Sequence, residues 1–143
     1  MRFFIVKMGI ILDTSFLVAL NNVKDANHES AIKLKNKIKN NDYGQPYVSD
    51  YIFDEFVTFL RAKSFPKEKI SQLGDSLISG KDIKILNLNK DLFLKSWNFF
   101  KKSNGASFTD CTIIISSKEH NINKIASYDE HFDRVNFLHR LVK

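Results

Sequence analysis

Four carboxylates occupy positions from which they could bind a divalent cation: Asp13, Glu55, Asp110 and Asp129. Magnesium and manganese ions (Mg²⁺ and Mn²⁺) are hard cations that prefer oxygen ligands, usually carboxylates and retained water. A cation held in this way can lower the pKa of a water molecule and place it in line with a phosphodiester. The residue types therefore indicate metal-dependent hydrolysis. Without metal, we expect mutual repulsion to raise the pKa of at least one of these acids.

The four acids are predicted to lie at or near the ends of secondary-structure elements. Asp13 directly follows the first predicted strand, and Asp129 follows the fourth. Glu55 lies in the second long helix, and Asp110 lies in the first turn of a helix that begins at Ser107. In an open α/β sheet, ligands bind beyond the carboxyl ends of the strands. We therefore expect the four side chains to converge on that edge of the sheet.

Strands and helices alternate along the whole chain. Apolar runs and period-two patterns predict the strands, and apolar residues at helical spacing predict the helices. The predicted strands are residues 10–12, 47–48, 83–86, 124–126 and 135–137. The predicted helices are a short one after Asp13, then 27–41 with Asn27 as N-cap, 50–64, 66–78, 90–102 and 107–120. This order predicts an α/β fold with three layers, in which helices flank a central, mostly parallel β-sheet.

Three of the acids also have an ordinary structural explanation. Ser107 and Asp110 fit a capping box, in which a hydroxyl and an acid satisfy the N–H groups that open a helix. Asp13 and Asp129 each precede a predicted helix or turn, and either could act as an N-cap. Taken singly, each acid is more typical of a structural role than of catalysis.

Glu55 has a competitor in its neighbour Asp54. On a helical wheel the two residues flank the apolar face on opposite sides, about equally far from its centre. Periodicity therefore leaves both residues open as the acid of this helix. The structural explanation for either is a charged residue at the boundary of the core.

Length and composition indicate one domain in a reducing compartment. The chain has 143 residues, 43% of them hydrophobic, and a single cysteine, which excludes an internal disulfide framework. No stretch approaches the ~20 apolar residues of a membrane helix. We therefore expect a cytoplasmic protein with residues 1–143 as one domain, in which residues 1–8 could be an N-terminal extension. Met8 is an alternative to Met1 as the start of translation. The net charge of +6 is typical of a protein that binds nucleic acid, and it is equally typical of a soluble protein with a lysine-rich surface.

Several other residues are assigned to structural roles. The apolar residues of the fifth predicted helix are expected to face the core: Leu92, Phe93, Trp97 and Phe100. This places Trp97 in the core and not in a base-stacking platform. The four histidines lack the spacing of a zinc site, and Cys111 lacks a base partner and is expected to be a buried thiol.

Five short stretches occur in the order found in a known family. They are residues 11–20, 25–31, 48–57, 107–111 and 125–132, and four of them contain one of the four acids. Together they resemble the PIN-domain ribonucleases, and in particular the VapC-type toxins, from about residue 10 to residue 137. The family pattern assigns Glu55, and not Asp54, as the acid of its helix.

The resemblance implies a PIN-like α/β domain in which the four acids are catalytic and hold one or two Mg²⁺ or Mn²⁺ ions. It implies an endoribonuclease that cleaves single-stranded or looped RNA, acting as the toxin of a type II toxin–antitoxin pair. It further implies a homodimer, and an antitoxin that inserts a segment into the active-site groove. Hydroxyls beside the acids would orient a carboxylate or a metal-bound water, with capping as the alternative: Thr14, Ser15 and Ser127. The competing functions are a non-catalytic RNA- or protein-binding module, and an RNA-processing nuclease outside a toxin–antitoxin system.

Overall fold

Five short strands form the centre of the molecule in a computed structural model that describes residues 9–142. They are β1 (Ile10–Leu12), β2 (Pro46–Ser49), β3 (Lys84–Leu86), β4 (Lys124–Ala126) and β5 (His139–Arg140). Their order in the sheet is β3-β2-β1-β4-β5, and every pairing is parallel. The predicted parallel sheet is therefore confirmed. The extension expected at residues 1–8, and the choice between Met1 and Met8, lie outside the described residues.

Six helices connect and flank these strands, as expected for crossover connections in a parallel sheet. They are α1 (Thr14–Asn21), α2 (His28–Lys39), α3 (Asp50–Ala62), α4 (Lys67–Ile78), α5 (Lys90–Lys102) and α6 (Phe108–Glu119). A 3-10 segment (Glu130–Arg134) follows β4. No helix within residues 9–142 is both long and apolar enough to cross a membrane. The three-layer α/β architecture is thus confirmed.

Strand β1 lies at the centre of the sheet and delivers Asp13 to its carboxyl edge. Ile10 and Ile11 are fully buried, which explains the purely aliphatic sequence of this strand. Leu12 is in register with Ala126 of β4, and the Asp13 N–H donates to the Ala126 carbonyl at 3.0 Å. The chain segments that carry Asp13 and Asp129 therefore leave the sheet side by side.

Large buried aromatic side chains hold the surrounding elements in place. Phe16 of α1 and Phe56 of α3 are almost completely buried in one core, together with Phe132 of the 3-10 segment. Truncation of such a residue to alanine costs about 3–5 kcal/mol. Because Phe132 lies three residues after Asp129, its burial fixes the position of the segment that carries this acid.

Of two local predictions near element ends, one is wrong and the other, Asn27 as N-cap, is confirmed in position only. The strand expected at 135–137 is still part of a turn, because the Val135 N–H donates to Phe132 and the Leu138 N–H donates to Val135. Pairing resumes only at His139, which begins β5. Asn27 precedes α2 as expected but its side chain makes no capping bond; instead its N–H donates to the Asp25 carboxylate at 2.8 Å.

The inward face predicted for α5 is also wrong in part. Phe93 is 43% exposed and Trp97 is 45% exposed, whereas Leu92 and Ser96 are buried. The Ser96 hydroxyl donates to the Leu92 carbonyl at 2.7 Å, so that this polar side chain can enter the core with its donor satisfied. The helix therefore turns a narrow face inward, and Trp97 does not belong to the core.

Candidate active site

All four predicted acids line one cleft, together with Thr14 and Ser15. The cleft has a volume of about 620 Å³, within the ~300–1,000 Å³ of typical ligand pockets. Asp13 and Asp129 reach it from the carboxyl ends of β1 and β4, Glu55 from the side of α3 and Asp110 from the first turn of α6. The expected convergence of these side chains is thus observed in the structure.

Asp13 is the most buried of the four acids, with 6% of its surface exposed. It occupies the N-cap position of α1, but its side chain makes no capping bond there. Its Oδ2 accepts a 2.6 Å hydrogen bond from Ser127 and a longer one, 3.4 Å, from Ser15. Capping of α1 therefore does not account for this carboxylate.

The electrostatic environment raises the pKa of two of the acids. Burial raises the pKa of Asp13 to about 6, and the nearby carboxylates of Asp110 and Glu55 also raise it, against the lowering effect of hydrogen bonds from Ser127 and the Thr14 backbone. The pKa of Asp110 is raised by burial and then by the Asp129 carboxylate. The expected direction of the pKa shift is therefore found for two acids, but burial, and not repulsion between the acids, is its larger cause.

Asp110 and Asp129 lie where the capping alternative also places them. Ser107 caps α6 and accepts a hydrogen bond from the Asp110 N–H at 3.0 Å, as the capping box predicts. Asp129 caps the 3-10 segment, and its Oδ1 accepts from the His131 N–H at 2.9 Å. Asp129 can therefore cap the 3-10 segment and still serve the cleft, because the cap uses only Oδ1 and leaves Oδ2 available.

The structure separates Glu55 from Asp54, which helical periodicity did not. Glu55 lines the cleft. Asp54 and Glu55 are both exposed, but the Asp54 Oδ1 accepts a hydrogen bond of 3.4 Å from Thr58, one turn along α3. The neighbouring acid is thus engaged on its own helix, whereas Glu55 faces the other three acids.

Two serine hydroxyls connect the ends of β1 and β4 beneath the acids. Ser127 is fully buried; it donates to Asp13 and accepts from the Asp129 N–H at 3.0 Å. Ser15 lies 3.3 Å from the Ser127 hydroxyl and accepts from the Tyr128 N–H at 2.9 Å. Neither serine caps a helix, and both orient the segments that carry the acids. The buried Thr14 hydroxyl has no hydrogen-bond partner within residues 9–142.

Several residues of the cleft were not predicted as site residues from the sequence, among them a fifth acid, Asp25, together with His131 and Tyr128. His131 lines the cleft and its Nδ1 lies 2.7 Å from Oδ1 of Asp129. The sequence signal for this contact is the spacing of two residues across a turn, which differs from the spacing of a zinc site. Tyr128 also lines the cleft and donates from its hydroxyl to the Asn27 carbonyl at 3.2 Å. No sequence signal marks this contact, since about a hundred residues separate its partners.

The residues of the cleft fit a divalent cation. Carboxylate oxygens of Asp110 and Asp129 lie within 4.8 Å of each other and of a ring nitrogen of His131, a described group that does not include Asp13 or Glu55. Among the described residues that line the cleft, none is Lys or Arg, and Arg140 acts on Asp129 from outside that lining. A donor set dominated by carboxylate oxygens suits Mg²⁺ or Mn²⁺ better than softer metals.

Comparison with known proteins agrees with this geometry. A family model for the PIN domain matches residues 10–138. A VapC ribonuclease from Archaeoglobus fulgidus is 23% identical over 128 residues, which cover 87% of this chain and 80% of that protein. Mycobacterium tuberculosis VapC20, described as a sarcin-ricin loop cleaving toxin, has a TM-score of 0.82 at 20% identity, covering 94% of this chain and all of that one. Rickettsia felis VapBC2, bound to a promoter DNA fragment, has a TM-score of 0.66 at 17% identity, with 95% and 100% coverage.

Proposed function

The chain belongs to the PIN-domain family, and from this premise we propose that it is a Mg²⁺- or Mn²⁺-dependent endoribonuclease that cleaves single-stranded or looped RNA. The observation that carries the proposal is the convergence of four carboxylates in one cleft whose described lining contains no Lys or Arg. The proposal treats residues 1–143 as a single domain and places it in the cytoplasm, where a buried, unpaired Cys111 and an RNA substrate are both expected.

The roles of the residues follow from their places in the cleft. Asp13, Glu55, Asp110 and Asp129 would hold the cation. When bound, such a cation supplies a water of lowered pKa and stabilises charge on the leaving oxygen of a phosphodiester. Ser127 fixes the Asp13 carboxylate through its 2.6 Å hydrogen bond, and Ser15 holds the adjoining backbone at Tyr128. These hydroxyls therefore orient the ligands, as outer-shell partners commonly do.

Cleavage of RNA by the purified protein tests the proposal directly. Wild type and Asp13→Asn would be prepared side by side and incubated with a panel of structured and single-stranded RNAs in Mn²⁺, in Mg²⁺ and in EDTA. We expect cuts that depend on metal and are made only by wild type. Equal cleavage by both proteins would contradict the assignment of Asp13 and indicate a contaminating nuclease. Metal binding without cleavage of any RNA would favour the binding module of the same fold.

We also propose that the nuclease is the toxin of a toxin–antitoxin pair. The similarity to VapC20 and to the VapBC2 complex supports this role. An antitoxin segment with a basic side chain would complement the acidic cleft, in which the described lining offers no Lys or Arg. Expression of wild type should arrest growth, and a small protein encoded just upstream should restore it. Growth unaffected by an active enzyme would favour RNA processing outside such a pair.

We further propose that the protein forms a homodimer and that the exposed face of α5 forms its interface. Phe93, Leu94 and Trp97 are each more than 40% exposed on this helix. An exposed apolar patch of this kind is typical of a protein–protein interface. Trp97 is the only tryptophan, so its fluorescence should change as the protein is diluted through the dimer dissociation range. Sedimentation should show a dimer for wild type and a monomer for Trp97→Asp; a monomeric wild type would exclude the dimer.

A further inference from the structure

His131 holds one oxygen of a candidate metal ligand with two hydrogen bonds. Oδ1 of Asp129 accepts the backbone N–H of His131 at 2.9 Å and lies 2.7 Å from its Nδ1. A lone pair on Nδ1 would repel the carboxylate at this distance, so Nδ1 must carry a proton and donate it. Within the described residues, no hydrogen bond reaches Oδ2 of Asp129. His131 thus engages Oδ1 of Asp129 with both hydrogen bonds and leaves Oδ2 available.

The environment of the imidazole supports an orienting role. Nδ1 is occupied by its proton and by the bond to Asp129, so it has no lone pair to offer to a metal. Nε2 faces the loop before α6, where a Cβ added to Gly105 would lie 4.0 Å from it. The same loop leads to Ser107 and the first turn of α6, which carries Asp110. His131 therefore lies between the two segments that bring Asp110 and Asp129 together.

We propose that His131 is a positioning residue: it fixes the Asp129 carboxylate so that Oδ2 is presented to the divalent cation, and it does not bind the cation itself. The inference rests on the proposed function in requiring a cation in this cleft. It goes further by giving a role to a residue outside the four acids. Outer-shell partners of this kind contribute about 10–100-fold to metal affinity.

Substitutions at this position separate the hydrogen bond from the bulk of the ring. In His131→Asn the side-chain amide nitrogen can take the place of Nδ1, whereas in His131→Gln it lies nearer the place of Nε2. His131→Ala removes both nitrogens, and His139→Ala removes an exposed histidine outside the cleft as a control. Mn²⁺ affinity would be measured by calorimetry, and unfolding temperature in EDTA would report any effect on the fold.

We expect His131→Ala and His131→Gln to weaken Mn²⁺ binding by about 10–100-fold, with His131→Asn and His139→Ala close to wild type. Unchanged affinity in the alanine variant would overturn the proposal. An asparagine variant as weak as alanine would overturn the role of the hydrogen bond.

Pulsed electron paramagnetic resonance of bound Mn²⁺ tests the second half of the proposal. We expect no ¹⁴N coupling from a directly bound imidazole. A coupling present in wild type and lost in His131→Ala would make His131 a ligand and overturn the positioning role. A wild type that binds no Mn²⁺ would overturn the metal site and this inference together, whereas one that binds Mn²⁺ without cutting RNA would overturn the proposed function alone.

Discussion

Two aspartates four residues apart, Asp129 and Asp133, lie in opposite electrostatic surroundings. Asp133 forms a bidentate pair with Arg140, with Nε–Oδ1 and Nη2–Oδ2 distances of 2.8 and 2.9 Å. The hydrogen bond from Arg140 lowers the pKa of Asp133. Asp129 instead faces the cleft, and its carboxylate helps to raise the pKa of Asp110. Arg140 thus forms a direct ion pair with Asp133, whereas the group in contact with Asp129 is the imidazole of His131.

The same contrast separates the whole cleft from the outer surface. On α5, Lys95 lies between Asp91 and Glu119, with N–O distances of 3.2 and 2.7 Å. The described residues that line the cleft include no Lys or Arg, although the chain carries a net charge of +6. The surface acids Asp91, Glu119 and Asp133 are thus each paired with Lys or Arg. Acids that repel one another cost stability, and such costs are typical of functional sites.

The difference between the cleft acids and Asp133 should be largest in the rate of RNA cleavage. Glu55→Gln, Asp110→Asn and Asp129→Asn each remove a charge from the cleft, and each should reduce the cleavage rate by more than about 100-fold. Asp133→Asn removes an equal charge outside the cleft and should leave the rate within about two-fold of wild type. The rates would be compared in Mn²⁺ on one RNA substrate. A loss of activity in Asp133→Asn as large as that in Asp129→Asn would remove the distinction between the two regions.

The stability of the metal-free protein should depend on pH through Asp13. Its pKa is about 6 in the folded protein against 3.8 ordinarily, so the folded state holds this proton more tightly than the unfolded state. The stabilisation is fully present below about pH 4 and is lost as the pH rises through about 6, by roughly 3 kcal/mol at most. Urea unfolding at several pH values in EDTA would measure it. Asp13→Asn should lack this loss, and an identical pH dependence in the variant would contradict the assignment.

Loss of the Ser127 hydroxyl should affect both stability and metal binding. Ser127→Ala leaves the buried Asp13 carboxylate without its 2.6 Å donor and the Asp129 N–H without its acceptor. We expect a loss of about 1–3 kcal/mol in unfolding free energy and a ~10–100-fold weaker Mn²⁺ affinity. Ser79→Ala, which removes an exposed hydroxyl, is the matched control. Unchanged metal affinity in Ser127→Ala would show that this hydroxyl serves the fold alone.

The smallest effect is expected at the ion pair of Asp133 with Arg140. Asp133→Asn breaks the pair with Arg140, but solvent screens this exposed carboxylate. Because the folded-state pKa of Asp133 is lowered, the pair contributes above the ordinary pKa and is lost as the pH falls through the folded value. A slightly lower Tm is expected, with the difference shrinking in high salt. A difference that persists in high salt would contradict an origin in an exposed charge pair.

The positions of Asp13 and Asp129 could be predicted from the sequence because they depend on strand ends. An aliphatic run such as Ile10–Leu12 predicts a buried strand, and parallel pairing then brings the residues after β1 and β4 to one edge. The orientation of α5 could not be predicted in this way. Phe93 and Trp97 are large apolar residues, which apolar periodicity assigns to the core. Ser96 is buried instead because its hydroxyl donates a hydrogen bond to the Leu92 carbonyl, and apolar periodicity cannot detect such a bond.

His131 illustrates a different limit of sequence reasoning. Its bond to Asp129 is local, but its place in the cleft depends on the approach of the loop before α6. The choice between Asp54 and Glu55 required the family pattern for a similar reason, since both flank the apolar face of α3. The place of His131 and the choice of Glu55 over Asp54 therefore depend on contacts between segments that are distant in the sequence, and local pattern does not report such contacts.

The described lining of the cleft provides no Lys or Arg for its acids, and we infer that a divalent cation supplies the missing positive charge. Unfolding of wild type and Asp13→Asn in EDTA and in Mn²⁺, near neutral pH, tests it most directly. In EDTA the variant should be the more stable protein, because a repelled carboxylate has been removed. In Mn²⁺ at about 100 times its Kd, wild type should gain about 2.7 kcal/mol, and the variant should gain far less and lose its advantage. Equal gains in both proteins, or a wild type already more stable in EDTA, would contradict the account.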